Sequence, residues 1–558
     1  MGEPISKSGC AIGQDSEYGE NSLEAGTSFD HRRRLNPRNL LLLFLATLIL
    51  LSASVYAAVL LTQTPEFMSL ESAKPVLQKM GAGDSARPGP GVSSKDWQAW
   101  LQKNDAEIRQ RLEAGEEDTL TNLLRFGVTF TKEYRIDDEY LVRYGQSSLV
   151  NSFAEKRAND LIKALAAPNG NQGLIEMRAF VEKKGFSLNS PAGRKQLKAY
   201  LLANLARMRK EYLQAQEQAK LNRDQMFQNR GISLDTNLWP DYDVDEQLKR
   251  MLDKGMLKPG SIRRVAVVGP GLDFANKQAG LDFYPPQTVQ PFAVLDSLFR
   301  LGLANPENVE LYTLDISSRV NLHIEAARKN AALGRPYTVQ LPWYADGRWT
   351  DEFRGKFVQY WRSLGAKIGE PVAPIPVPEA APGFETRAVK IRPAVVHRVT
   401  PVDMNIVFQR LNLPPGDRFD LIIGTNIFLY YGGFEQSLAR VNVAAMLKPG
   451  GYLLSNDKLQ DTVRSGLEQV MVTEIPMTGP PVIADKIYCY RRTQQDLRRL
   501  LDHNHRVLLR RSADGNNGEH VGLNFVPLLN DQALGFEKFA NAGRVPAHNF
   551  FEDRDKNR

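Results

Sequence analysis

Apolar residues recur along this chain in two rhythms. Arg264–Val268, Glu310–Asp315 and Phe419–Asn426 are short, almost unbroken apolar runs, the pattern of parallel strands buried on both faces. From Asp96 to about Gly231 the rhythm is helical. Leu197, Leu201, Leu205, Met208 and Tyr212 fall at spacings of four and three, on one helix face. Ser190-Pro191 supplies an N-cap and a first-turn proline for that helix. A shorter helix is expected over Asp243–Lys254, with Asp243 as N-cap and Gly255 as its stop. Another is expected from Phe434 to Leu447, stopped by Lys448-Pro-Gly-Gly451 before a strand at Tyr452–Leu454. The proline-dense Pro371–Pro378 reads as a surface excursion, because proline suits neither a helix interior nor a central strand. The pattern as a whole predicts an α/β protein with a doubly wound, mostly parallel sheet preceded by a helical region.

Leu40–Leu61 departs from both rhythms. These 22 residues carry no charge, and as a helix they span about 33 Å, enough to cross a hydrocarbon core. Arg32, Arg33, Arg34 and Arg38 precede the run, whereas only Lys74 and Lys79 are basic in the eighteen residues after it. The positive-inside rule places the N-terminus in the cytoplasm and the main domain outside. A cleaved signal peptide is the competing reading, through the small residues of Ser52–Ala57; the apolar continuation Val59-Leu60-Leu61 favours an uncleaved, single-pass anchor. The expected organisation is a disordered tail over 1–38 and a transmembrane helix over 39–62. A linker (63–95), a helical region (96–230), the α/β domain (231–492) and a C-terminal extension (493–558) follow.

Composition changes this picture little. The 42% hydrophobic and 24% charged content is that of a folded protein. A net charge of +7 over 558 residues does not call for nucleic acid as a partner, and the basic run from Arg491 to Arg511 reads first as a solvated face. Two cysteines, Cys10 and Cys489, exclude a disulfide framework and a cysteine-rich zinc site. Cys489, in an alternating run, is expected in a core. No cluster suggests a metal; His397, His503 and His505 stand without spaced acidic partners.

The chemistry concentrates where the apolar runs end. Gly269 and Gly271 flank Pro270 after the first run, where glycine lets the backbone turn sharply and approach a ligand. Phe274 stands where the dinucleotide fingerprint has its third glycine, which argues against a nicotinamide site. Asp315 ends the second run; it is placed to accept nucleotide ribose hydroxyls or to cap the helix that follows. Asp403 ends the run from Val396 and would meet an adenine amino group or serve as a cap. Asn426, Tyr430 and Tyr431 follow the third run and face a substrate or pack beneath the next helix.

Together, Val265–Asp273, Asp315, Asp403, Phe419–Tyr431 and Leu447–Leu454 resemble the class I S-adenosylmethionine-dependent methyltransferases over roughly residues 260–492. Phe419-Asp-Leu-Ile-Ile-Gly-Thr-Asn-Ile-Phe-Leu-Tyr-Tyr431 is similar to the central motif of the chemotaxis-receptor glutamate methyltransferases, with Thr425 at that family's arginine position. The resemblance implies a Rossmann-like methyltransferase fold with S-adenosylmethionine as co-substrate. Gly269, Gly271, Asp273, Asp315 and Asp403 would bind it, and Asn426, Tyr430 and Tyr431 would face the methyl acceptor. The expected function is a membrane-anchored methyltransferase, its partners being the bilayer through residues 40–61 and a methyl acceptor of unknown identity. The alternative is a catalytically inactive, methyltransferase-like binding or scaffold protein on the extracytoplasmic side.

Overall fold

Seven strands make the backbone of the α/β part, and the inner ones are covered on both faces. The computed structural model describes residues 64–80, 87–218, 228, 231–272, 282–344, 347–381, 383–460, 465–480 and 482–493. All of these belong to one compact unit, Met1–Gln494. The apolar run Leu40–Leu61, Asp273 and the 493–558 extension beyond Thr493 lie outside the described residues. Among those described, no helix is long and apolar enough to cross a membrane.

In chain order the elements begin with β1 (Pro65–Phe67), α1 (Leu70–Met80), α2 (Ser94–Phe126), α3 (Asp138–Arg143), α4 (Ser148–Ala166), α5 (Gln172–Lys183), α6 (Pro191–Gln218) and α7 (Leu238–Asp253). The sheet elements and their helices follow: β2 (Arg264–Val268), α8 (Gln290–Arg300), β3 (Glu310–Asp315), α9 (Ser318–Ala332), β4 (Tyr337–Trp343), α10 (Asp351–Ser363), β5 (Gly369–Val372), β6 (Glu385–Ile391), α11 (Pro393–Val396), β7 (Val399–Asp403) and β8 (Gln409–Leu411). The chain then forms β9 (Phe419–Gly424), α12 (Gly433–Met446), β10 (Leu447–Ser455), β11 (Leu467–Pro476) and β12 (Ala484–Arg492).

The central sheet has the order β11-β12-β10-β9-β2-β3-β7. β7, β3, β2, β9 and β10 run parallel, and β12 is antiparallel to both its neighbours. This is the doubly wound, mostly parallel, Rossmann-like sheet expected. From β2 the chain first adds strands on one side (β3, β7) and then on the other (β9, β10), so the order reverses between β2 and β9. Period-two alternation explains the burial on both faces. Val265 and Val267 join one apolar cluster with Leu248 of α7 and Leu295 of α8. Ala266 and Val268 join another with Trp97 of α2 and Leu438 of α12.

α2 enters that second cluster through Trp97, Leu101 and Ile108. Its far end, from Leu120 to Leu124, packs with α4, α5 and α6 in a separate helical core. A 33-residue helix thus runs from the sheet into the helical region, and Glu176 of α5, bound by Arg319 of α9, and Thr129, bound to Asp282, join the two parts as well. Leu197, Leu201, Leu205 and Met208 of α6 are buried as their spacing requires, and Ser190 Oγ accepts the Gly193 amide at 3.0 Å.

Several expectations are corrected. Residues 65–80 are not a linker: β1 pairs antiparallel with β8, and α1 buries Ala73, Val76 and Leu77. α7 starts five residues before Asp243, capped by Asn237, whose side chain accepts the Trp239 amide; Asp243 lies inside the helix and is buried. Gly255 does follow its end, with φ +67°. Lys448-Pro-Gly-Gly451 lies within β10 rather than in a helix stop. α12 passes straight into the strand, and the extra residues form a bulge between Leu447 and Tyr452, with Gly450 at φ +83°. Pro371 sits in β5, an edge strand of the small β4-β6-β5 sheet, where a missing amide is tolerated.

Candidate functional site

In an open α/β sheet the ligand crevice lies outside the carboxyl ends of the strands, where the strand order reverses. That position is occupied here by the turn after β2. Gly269 and Gly271 both have positive φ, +60° and +68°, which only glycine adopts freely. A Cβ at Gly269 would collide with the Ile427 side chain, and one at Gly271 with the Leu234 carbonyl oxygen. Thr288 Oγ donates to the Gly271 carbonyl at 2.5 Å and fixes the turn from the α8 side.

Asp315 ends β3 directly beside this turn. It is 5% exposed, and its carboxylate accepts the Ser317 amide at 2.7 Å and the Gly271 amide. Burial raises its pKa to about 7 against the pull of those two amides; Asp403 raises it further and Arg109 opposes. The cap of α9 is Ser317, not Asp315. Asp315 and Asp403 are partners across the β3–β7 ladder, so two strands end in acids at the same level. Asp403 is exposed and bound by Arg109 of α2 at 2.7 Å. Arg109 also binds Asp105, whose other oxygen receives the Asn405 amide at 2.7 Å.

Beyond β9 a short 3-10 turn, Phe428–Tyr430, carries the aromatic pair. Asp457 accepts the Phe428 and Leu429 amides, Gln436 donates to the Phe428 and Tyr431 carbonyls, and Arg111 of α2 donates to the Tyr430 carbonyl. A cavity of about 50 Å³ opens between these parts. It is lined by Gly269, Gly271, Asp315, Tyr430 and Tyr431 among the residues expected from sequence, together with Leu112, Ile232–Leu234, Met404 and Ile427, which were not. Burial pushes the Tyr431 hydroxyl well above its ordinary pKa, so it is neutral here.

Asp403 and Asn426 do not line the cavity. Asn426 holds a left-handed φ of +58°, is exposed, and exchanges two 2.7 Å hydrogen bonds with Asn456. Thr425 is buried and accepts from Gln290 Nε2 at 2.9 Å. Among the described residues no group of His, Cys, Asp and Glu is placed to hold a metal ion. His397 is exposed, and Cys489 is fully buried on β12, its thiol pKa pushed up to about 12 by burial. Arg109 and Leu234 went unseen because they lie far upstream of the glycine turn in sequence. The Gly115 and Gly231 that let the chain press against α2 carry no periodic signal.

No family model matches the chain, and no curated protein matches it. Among solved structures it is similar to the N-methyltransferase NodS from Bradyrhizobium japonicum WM9, at 11% identity over 46% of this chain and 97% of that one, TM-score 0.23. It is likewise similar to magnesium protoporphyrin IX methyltransferase from Synechocystis PCC 6803, at 12% identity over 46% and 80%, TM-score 0.21. A third is a TehB-like SAM-dependent methyltransferase from Corynebacterium glutamicum ATCC 13032, at 10% identity over 51% and 98%, TM-score 0.21. At such scores the assignment of the fold rests on strand order and direction, not on these likenesses.

Proposed function

We propose that residues 231–492 form an S-adenosylmethionine-dependent methyltransferase domain, tethered to a membrane by residues 40–61. The observation that carries this is Asp315: a buried carboxylate at the end of β3, bonded to the amide of a positive-φ glycine turn at the point where the strand order reverses. The donor set suits a nucleoside. Asp315 would accept the ribose hydroxyls, and Asp403, its ladder partner outside the cavity and held by Arg109, would meet the adenine amino group at the rim. When bound, the co-substrate supplies a sulfonium, a good leaving group, so the protein's task is alignment rather than proton transfer. Tyr430 and Tyr431 would wall the acceptor side. The likeness of Phe419–Tyr431 to chemotaxis-receptor methyltransferases points to a protein carboxylate as acceptor, but buried Thr425, bonded to Gln290, brings no charge to meet one.

The space fits less well than the chemistry. Ligand pockets of this kind run from about 300 Å³ upward, against about 50 Å³ here. This favours a second reading, a scaffold that has kept the fold without turnover. The arginines before residue 40 support it too, since with an anchor at 40–61 the positive-inside rule would put the domain on the side away from the cytoplasmic supply of S-adenosylmethionine. Calorimetry on the full chain in detergent separates the two. The first reading expects binding of S-adenosylmethionine that Asp315→Ala abolishes. Absence of heat in the intact chain and in the Gly115→Ala variant alike leaves the scaffold.

A further inference from the structure

What fills the crevice is the chain itself. Residues 231–236, a strap without regular secondary structure, lie against the glycine turn at the carboxyl end of the sheet and supply Ile232, Ser233 and Leu234 to the cavity wall. The Ile232 amide donates to the Arg111 carbonyl of α2 at 3.0 Å, and the Leu272 amide donates to the Leu234 carbonyl at 2.8 Å. The fit is backbone against backbone. The Ile232 carbonyl occupies the place of a Cβ at Gly115, Gly231 lies against the Gly115 backbone, and the Leu234 carbonyl occupies the place of a Cβ at Gly271. The glycine turn thus makes with the strap the close approach that such a turn offers a ligand.

We infer that the strap Gly231–Thr236 is a displaceable plug seated in the nucleoside crevice, and that the site binds its ligand only when the strap withdraws. This rests on the methyltransferase reading above. α2 is not the moving part, because Trp97, Leu101 and Ile108 anchor it in the core beneath the sheet. α7 is not either: its N-terminus is capped by Asn237, beyond the strap, and its Leu248 and Met251 are fully buried. The strap alone lies between these fixed elements, with Ile232 and Leu234 as its apolar anchors. Its withdrawal would uncover the Leu272 amide and the face of Gly271 beside Asp315, the polar groups a nucleoside needs.

Gly115→Ala tests this with little harm to α2, since alanine favours a helix while its methyl strikes the Ile232 carbonyl. Hydrogen–deuterium exchange on the full chain in detergent is read over residues 231–236 and Leu272, with and without S-adenosylmethionine, beside calorimetry. Expected are at least tenfold faster exchange at those amides in Gly115→Ala, at least tenfold tighter binding, and faster exchange of the 231–236 amides when ligand saturates the wild type. Unchanged exchange in a cooperatively melting Gly115→Ala overturns the plug, as does ligand binding to the wild type with the strap still protected. Where neither chain binds although Gly115→Ala exchanges faster, the methyltransferase reading falls and the plug falls with it, whereas binding to a wild type whose strap stays protected overturns the plug alone. Leu234→Ala, which removes an anchor and inserts nothing, gives the same readout should Gly115→Ala not fold.

Discussion

Asp315 holds its proton to about pH 7 in the folded protein, whereas an unfolded chain releases it near pH 3.9. Between those values the native state binds more protons than the unfolded one. This group's contribution to stability is therefore complete below about pH 4 and is lost as pH rises to 7. Urea denaturation across that window should give a fall in stability that Asp315→Asn flattens. Binding of a ligand through the ionised carboxylate runs the other way and should tighten as pH rises through 7, which calorimetry at several pH values would read. Arg157 offers a second test. It is 1% exposed and donates to the carbonyls of Leu124, Gly127, Glu133 and Tyr134, and although burial lowers its pKa to about 10 it stays charged at neutral pH. Arg157→Met strands those acceptors and should cost about 3 kcal/mol, seen as a lower urea midpoint with an unchanged slope. The two residues differ in how plainly sequence announces them. Asp315 ends an apolar run and is visible there, while nothing near Arg157 in sequence shows that four carbonyls converge on it.

Elements were legible where periodicity is strong and both ends are marked. α6, β2, β3 and β9 meet those conditions and lie where the pattern put them. β1 fails them: Pro65-Glu-Phe67 is too short to alternate, and its partner β8 comes more than 300 residues later. α7 begins early because Asn237 takes the cap, leaving Asp243 to turn inward toward Asp485, where burial and that second carboxyl raise its pKa well above the ordinary range. α2 shares the docking of β1 and α1 with β8 and α12. Trp97 is fully buried, stacks on Trp100 at 5.3 Å, and donates to the Met68 carbonyl at 3.1 Å. Trp97→Ala should lower stability by about 3–5 kcal/mol and expose residues 64–80 to limited proteolysis before the rest of the fold.

For the whole molecule, the doubly wound sheet and the crevice at its carboxyl edge followed from the order of apolar runs. The closure of that crevice did not, because it depends on where residues 109–115 and 231–236 come to lie in space. The expected anchor at Leu40–Leu61 makes a separate prediction: a reporter fused to the C-terminus should be active on the outer side of the membrane, and a cytoplasmic signal would place the domain beside its co-substrate instead. The sheet carries one more consequence. β2 lies at the centre, yet one of its two neighbours, β9, begins 150 residues after β2 ends. At about 5–20 residues per second of synthesis, the apolar edge of Val265–Val268 waits roughly 8–30 s for its mate. The nascent chain must be shielded through that interval, and a translational pause before Phe419 would lengthen the exposure and favour aggregation over folding.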